Sequence, residues 1–170
     1  MGYRLSRTDK VHAALLAVCG AVLVCAYWVA FYHSNLTLPE SVLHPAGPGG
    51  DPFALVYMGF ESAFPLADLL VAVAASLAAF YLIGRDAKAV LFGLIGSGAL
   101  GFLALIDISF NLHHGLYALL LRDSGMQLEL LINVACVAGA FWSIWRFWGH
   151  PLRRADDRAH PERPLTDAAV

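Results

Sequence analysis

The sequence predicts an all-α, polytopic integral membrane protein: an up-down bundle of four transmembrane helices with both termini in the cytoplasm. Three observations support this: apolar runs longer than twenty residues, a composition that is 59% hydrophobic and 14% charged over 170 residues, and basic residues grouped on one set of loops. Soluble domains carry about a quarter charged residues and keep their apolar residues in short periodic runs. A mean hydropathy of +0.64 therefore argues against an ordinary soluble domain.

Four apolar segments are each long enough to cross a hydrocarbon core of about 30 Å, which requires about 20 helical residues. The predicted helices cover about residues 11–32, 53–83, 89–121 and 126–148. The second and third exceed the required length, so we expect them to tilt, kink or project beyond the bilayer. The first is interpreted as an uncleaved helix, because its apolar run is longer than a signal core and no small-x-small cleavage site stands before the polar loop.

The remaining segments are interpreted as connections and tails. Residues 1–10 form a cytoplasmic N-terminal segment, residues 33–52 a Pro- and Gly-rich outer loop, and residues 149–170 a polar, disordered cytoplasmic tail. Short links on either side of the third helix make neighbouring helices antiparallel. The three cysteines all fall within predicted helices and form no CxxC motif, so they are expected to be free, small core residues.

Positive charge sets the predicted orientation. Of the eleven Lys and Arg residues, only Arg122 lies on a predicted outer loop. The other ten flank the cytoplasmic ends of the helices: Arg4, Arg7, Lys10, Arg85, Lys88, Arg146, Arg153, Arg154, Arg158 and Arg163. This bias places both termini in the cytoplasm. The Ala-, Gly- and Arg-rich composition favours the plasma membrane of a bacterium, its inner membrane, and the net charge of −2 gives no reason to expect a nucleic-acid partner.

Three of the predicted helices carry a stripe of polar residues at helical spacing. The stripes are Tyr57, Glu61 and Asp68 on the second helix, Asp107, Asn111 and His114 on the third, and Glu129 and Asn133 on the fourth. A rise of about 1.5 Å per residue places these groups mainly in the outer half of the membrane, with Asp68 at the floor of an outward-facing pocket. Glu129 lies near the predicted interface and is interpreted as simply solvated.

The cost of burying charge gives these acids their significance. An acid that faces lipid at mid-membrane costs at least ~2.5 kcal/mol on insertion scales. Glu61, Asp68 and Asp107 have no Lys or Arg at matching depth, so we expect them to turn inward, pair, protonate or line water. Structural interhelical hydrogen bonding is the alternative interpretation, whereas acids inside a membrane more often mark a functional site.

Two further features predict local helix geometry. Pro65 lies one turn after Glu61 and removes a backbone hydrogen bond, which predicts a kink in the second helix beside that acid. Gly93, Ser97 and Gly101 form a row of small residues on the third helix, and such rows allow close approach of a neighbouring helix.

The favoured hypothesis is an intramembrane polar pocket that binds a lipid-like or amphipathic small molecule, since apolar cavities with a few convergent polar groups are the usual small-molecule sites. The expected ligand-binding residues are Tyr57, Glu61, Asp68, Asp107, Asn111, His114 and Asn133. If the site is catalytic, Glu61 and Asp107 would act as proton donor and acceptor. The sequence leaves open whether the protein is an enzyme. It contains neither a nucleotide loop nor a compact metal-ligand motif, so no cofactor and no metal are expected.

The stretch "FESAFPLAD" in the second helix, together with Asp107 in the third, resembles the sigma-2 receptor and sterol isomerase superfamily. That family has a small bundle with acids on successive helices around a ligand cavity. The resemblance implies a membrane enzyme or receptor for a sterol-like ligand. The spacing and flanking residues differ from that family's pattern, and the resemblance is confined to these two places.

Two alternatives from other classes remain. The chain is small, has short links and lacks a soluble domain, which suits an accessory or assembly subunit of a larger membrane complex. A metal or haem site would use His33, His114, Glu61 and Asp107, since imidazole and carboxylate suit several metals. The expected partners are membrane lipids, a lipid-like ligand, and partner membrane subunits or further copies of the chain.

Overall fold

The computed structural model describes residues 4–34 and 52–152, and within these ranges the chain is helical with no strand. Four helical stretches there are long and apolar enough to cross a membrane. The predicted class, an all-α multi-pass membrane protein with a four-helix apolar bundle, is therefore confirmed at this level. Most of the predicted outer loop and tail lies outside the described residues.

Span 1 is one long helix in three parts: α1 (Arg7–Ala17), a π-helical segment (Val18–Leu23) and α2 (Val24–Ser34). It begins before the predicted residue 11 because Ser6 and Asp9 form a capping box. The Ser6 hydroxyl accepts from the Asp9 backbone N–H at 3.1 Å, and the Asp9 carboxylate accepts from the Ser6 N–H at 2.8 Å. These bonds satisfy two backbone donors at the helix start.

Span 2 is interrupted, as the proline predicted. It consists of α3 (Pro52–Glu61) and α4 (Phe64–Gly84), joined by a tight turn at Ser62 and Ala63. Pro65 occupies the first turn of α4, where its missing N–H leaves no helical bond unmade. The interruption follows Glu61 directly, so the backbone changes direction beside that acid.

Span 3 is α5 (Lys88–His113), and span 4 is α6 (Ser124–Trp148). The prediction that the third helix continues to residue 121 is wrong: the helix ends at His113, and Gly115 then adopts a left-handed φ of 69° that a helix cannot contain. A short 3₁₀ turn, Leu116–Leu119, follows. The Asp123 side chain then caps α6 by accepting a first-turn backbone N–H at 3.0 Å.

Small residues bring the spans together, as the row on the third helix predicted. The Gly93 backbone lies against the Phe147 ring so closely that a Cβ at that position would overlap it. A Cβ at Gly101 would lie 3.2 Å from that of Ala140, and one at Gly96 would lie 3.1 Å from that of Ala74. Span 3 therefore packs at short distance on both span 2 and span 4.

Polar side chains join the start of span 1 to the end of span 4. The Asp9 carboxylate accepts a hydrogen bond from Arg146 at 2.8 Å and lies 3.2 Å from the His150 Nε2. One turn further in, the His12 Nε2 lies 3.0 Å from the Ser143 hydroxyl. From the sequence, Arg146 was interpreted only as a basic residue that sets the membrane topology. These contacts were not predicted, because they join residues far apart in the chain. They bring the start of span 1 and the end of span 4 together.

Candidate functional site

Three acids from three spans meet inside the bundle. Glu61, Asp107 and Glu129 each present a carboxylate oxygen, and these oxygens all lie within 4.8 Å of one another. Glu61 is 6% exposed and Glu129 3% exposed, while Asp107 is partly buried. We refer to Glu61, Asp107 and Glu129 as the acid cluster. The predicted convergence of Glu61 and Asp107 is therefore confirmed.

Two fully buried polar side chains hold the acid cluster together. The Tyr57 hydroxyl donates to Glu129 at 2.5 Å. The Asn111 side-chain amide donates to Asp107 at 3.2 Å and also to Glu129. Tyr57 and Asn111 both have 0% exposure. The hydrogen bonds consequently link spans 2, 3 and 4, and all the residues involved were on the predicted polar stripes.

The interpretation of Glu129 as a solvated interfacial residue is wrong. The prediction counted the depth of Glu129 from the start of the fourth helix, and this count suggests an exposed position near the predicted outer end. In the structure, the chain between spans 3 and 4 folds over that end, and Leu116 packs with Phe31, Tyr57 and Met126 in an apolar cluster. This cover keeps Glu129 away from the surface.

Asp68 contacts a different span. Its carboxylate accepts a hydrogen bond from the Trp28 indole N–H at 2.8 Å, which ties span 2 to span 1. Asp68 is half-buried and lines the same cavity as Glu61 and Asp107. Trp28, which the sequence suggested as either an interfacial belt residue or a pocket-wall residue, therefore lines the cavity and holds one of its acids in position.

An elongated cavity of about 580 Å³ runs among the four spans, and we refer to it as the intramembrane cavity. Its polar lining at one end consists of Glu61, Asp68, Asp107 and Asn133. His12 and Ser143 line the opposite end. Between them the walls are mostly apolar and small, with residues such as Val71, Ala75, Gly96, Leu100 and Ala104. One site thus combines an acidic end with a long apolar channel.

The remaining predicted site residues are placed differently. Asn133 is buried, lines the cavity and lies beside Asp107. His114 is exposed at the end of span 3, where its ring packs on Phe110. His33 is also exposed. The two histidines therefore do not join the acid cluster, and the histidine-containing metal or haem site has no geometric support among the described residues.

The structure adds a polar pair that sequence reasoning missed. His12 and Ser143 are 1% and 6% exposed, and they face each other across spans 1 and 4. Each is an isolated polar residue in an apolar run, and that isolation is the only signal that the sequence offered. The signal was overlooked because helical spacing groups residues within a helix and does not pair residues of different helices.

The chemistry available at the acidic end is that of oxygen ligands. Carboxylates there can accept hydrogen bonds, exchange protons or bind a cation, while the apolar channel can hold a hydrocarbon group.

No protein-family model, curated protein or solved structure matches the chain. The assignment of function therefore begins from the geometry of this site.

Proposed function

We propose that the protein binds an amphipathic, lipid-like small molecule in the intramembrane cavity, with the polar head at the acid cluster and the apolar part along the channel. The observation that carries this proposal is the continuity of the apolar cavity with buried acids from separate spans. A volume of about 580 Å³ lies inside the range of about 300–1,000 Å³ that is usual for small-molecule sites.

The length of the cavity supports an elongated ligand. Gly93 and Asp107 both line it, and at a rise of about 1.5 Å per residue they lie about 21 Å apart along α5. The head group is expected to donate hydrogen bonds, as a hydroxyl or an ammonium group does, because carboxylate oxygens accept them. Among the described residues, no Lys or Arg lines the cavity to attract an anionic head.

Access from the lipid is expected between spans 1 and 4. Leu15 and Leu23 on span 1 line the cavity and are nevertheless 43% and 54% exposed. Trp142 on span 4 lines it too and is 36% exposed. A membrane-dissolved molecule could enter sideways through this part of the wall without crossing the polar interface.

Native mass spectrometry of the purified protein tests this proposal. Wild-type protein is expected to carry a bound lipid-like molecule, and Glu61→Gln or Asp107→Asn should reduce the bound fraction at least tenfold, because each removes a carboxylate from the acidic end. Ser109→Ala is the matched control, since Ser109 is exposed on the helix that carries Asp107 and its hydroxyl donates to the Leu105 carbonyl of that helix at 2.6 Å. Equal retention in all four proteins would contradict the role of the acids. Recovery of a fixed protein partner with no small molecule would instead favour the accessory-subunit interpretation.

We also propose that both termini are cytoplasmic and that the protein resides in the plasma membrane of a bacterium. The Asp9–Arg146 contact supports placing both ends on one side of the membrane, and the basic residues at those ends favour the cytoplasmic side. A reporter active only outside the cytoplasm should be inactive when fused after residue 170 and active when inserted after Arg122. Activity of the residue-170 fusion would overturn this orientation.

A further inference from the structure

The acid cluster has no cationic partner among the described residues. Within the described residues, no ion pair includes Glu61, Asp107 or Glu129. The ion pairs that the described residues do form involve Asp9, at the opposite end of the bundle. Three ionised carboxylates within 4.8 Å would repel one another strongly in a medium of low dielectric constant. Protons or a cation must therefore lie among these oxygens.

Protons on the carboxylates would relieve the repulsion within the acid cluster, but they would not explain a second feature of it. The Asn111 Oδ1 accepts no hydrogen bond in the structure, although Asn111 is 0% exposed. A buried polar group without a partner costs about 1–3 kcal/mol, so this oxygen indicates a polar guest at the cluster.

The Asn111 amide lies inside the cluster rather than beside it. Its nitrogen bonds to Asp107 and Glu129, while its oxygen has no partner. A half-turn of the amide exchanges the two atoms and directs the oxygen at the same carboxylates. That orientation is unfavourable when only carboxylates are present and favourable when a cation lies between them.

We propose that the acid cluster is a binding site for a divalent cation of the Mn²⁺, Ca²⁺ or Mg²⁺ type, with Glu61, Asp107 and Glu129 as carboxylate ligands and the Asn111 amide oxygen as a fourth. Hard divalent cations select carboxylate and carbonyl oxygens. Oxygen ligands around Ca²⁺ lie at about 2.3–2.6 Å, so ligands on opposite sides are separated by about 5 Å. The carboxylate oxygens of the acid cluster all lie within 4.8 Å of one another, which is compatible with that spacing.

The site has an open side. Glu61 and Asp107 line the intramembrane cavity, whereas Glu129 is not part of its wall. Further coordination positions of the cation therefore face the cavity, where a water molecule or a ligand oxygen completes its shell. This inference does not require the lipid-like ligand, because the four protein ligands come from the bundle alone.

Manganese binding to the full-length protein in nanodiscs tests the proposal, with electron paramagnetic resonance as the readout. Wild-type protein should bind one Mn²⁺ per chain, and Glu129→Gln should weaken this binding at least tenfold. Asp86→Asn, which removes a partly exposed carboxylate that accepts a hydrogen bond from the Lys88 backbone N–H, should change Mn²⁺ binding less than twofold. Failure of the wild-type protein to bind at millimolar Mn²⁺, or binding by Glu129→Gln equal to wild type, would overturn the proposal.

Two further variants separate loss of a ligand from loss of the fold. Asn111→Asp replaces the amide with a carboxylate and should retain Mn²⁺ binding, while Asn111→Leu should weaken it at least tenfold. If Asn111→Leu binds as wild type does, Asn111 is not a ligand and the four-ligand site is wrong. Lipid retention measured on the same samples keeps the proposals apart: a wild-type protein that retains lipid and fails to bind Mn²⁺ contradicts only the cation site.

Discussion

Tyr57→Ala is expected to lower the free energy of unfolding by about 3 kcal/mol, because it empties a fully buried position and removes a bond to Glu129. Large-to-small changes of this kind cost about 3–5 kcal/mol in water-soluble cores, and part of that cost disappears where the unfolded helices remain in lipid. Titration of the purified protein from mild detergent into sodium dodecyl sulfate measures the change.

Tyr57→Phe is the matched control, since it keeps the ring and removes only the hydroxyl. An interhelical hydrogen bond inside a membrane contributes about 0.6–2 kcal/mol, so this variant should lose clearly less stability than Tyr57→Ala. The ring of Tyr57 also packs on Phe110, at 6.0 Å between centroids, and this contact survives in the control. Wild-type stability in Tyr57→Ala would show that spans 2 and 4 do not meet at this position.

Gly93→Val is expected to destabilise the bundle by about 3 kcal/mol, at the upper end of overpacking costs. Any Cβ at this position overlaps the Phe147 ring. Phe147 has 0% exposure and packs on the His12 ring at 4.6 Å, so it cannot swing aside without disturbing the contact between spans 1 and 4. The same detergent titration gives the measurement.

Gly98→Val serves as the control for this change. Gly98 is an exposed residue on the same helix, and an added Cβ there meets no atom within 4 Å. Its loss of stability should stay below about 1 kcal/mol, because β-branching costs little in a helix. Equal losses in the two variants would indicate a general effect of valine in α5 rather than a collision with Phe147.

The sequence could predict the spans and most of the acid site because both depend on local pattern. Apolar run length sets the four spans, and helical spacing placed Tyr57 and Glu61 on one stripe and Asp107 and Asn111 on another. Burial energy then required those stripes to face inward. The interruption after Glu61 followed from Pro65, which acts within its own turn.

The sequence-based predictions that were wrong or missing concern features that depend on tertiary contacts. The solvated position predicted for Glu129 is wrong because its burial comes from the turn around Leu116, which packs over the end of the bundle where spans 3 and 4 are joined. The Asp9–Arg146 and His12–Ser143 contacts join residues more than a hundred positions apart, and no spacing rule relates them. The capping residues "SRTD" did carry a usable signal for the start of span 1, and they were overlooked.

Retention of a small molecule by the native protein tests the central claim most directly, because an acid-ended cavity inside the bundle has to hold something amphipathic if it is a binding site. The decisive measurement is the native mass spectrum of wild-type protein after extraction in mild detergent, followed by release and mass determination of any bound molecule. The account predicts one amphipathic molecule per chain, displaced by an added excess of the released compound. A spectrum that shows only the bare chain, unchanged when membrane lipids are added back, would contradict it.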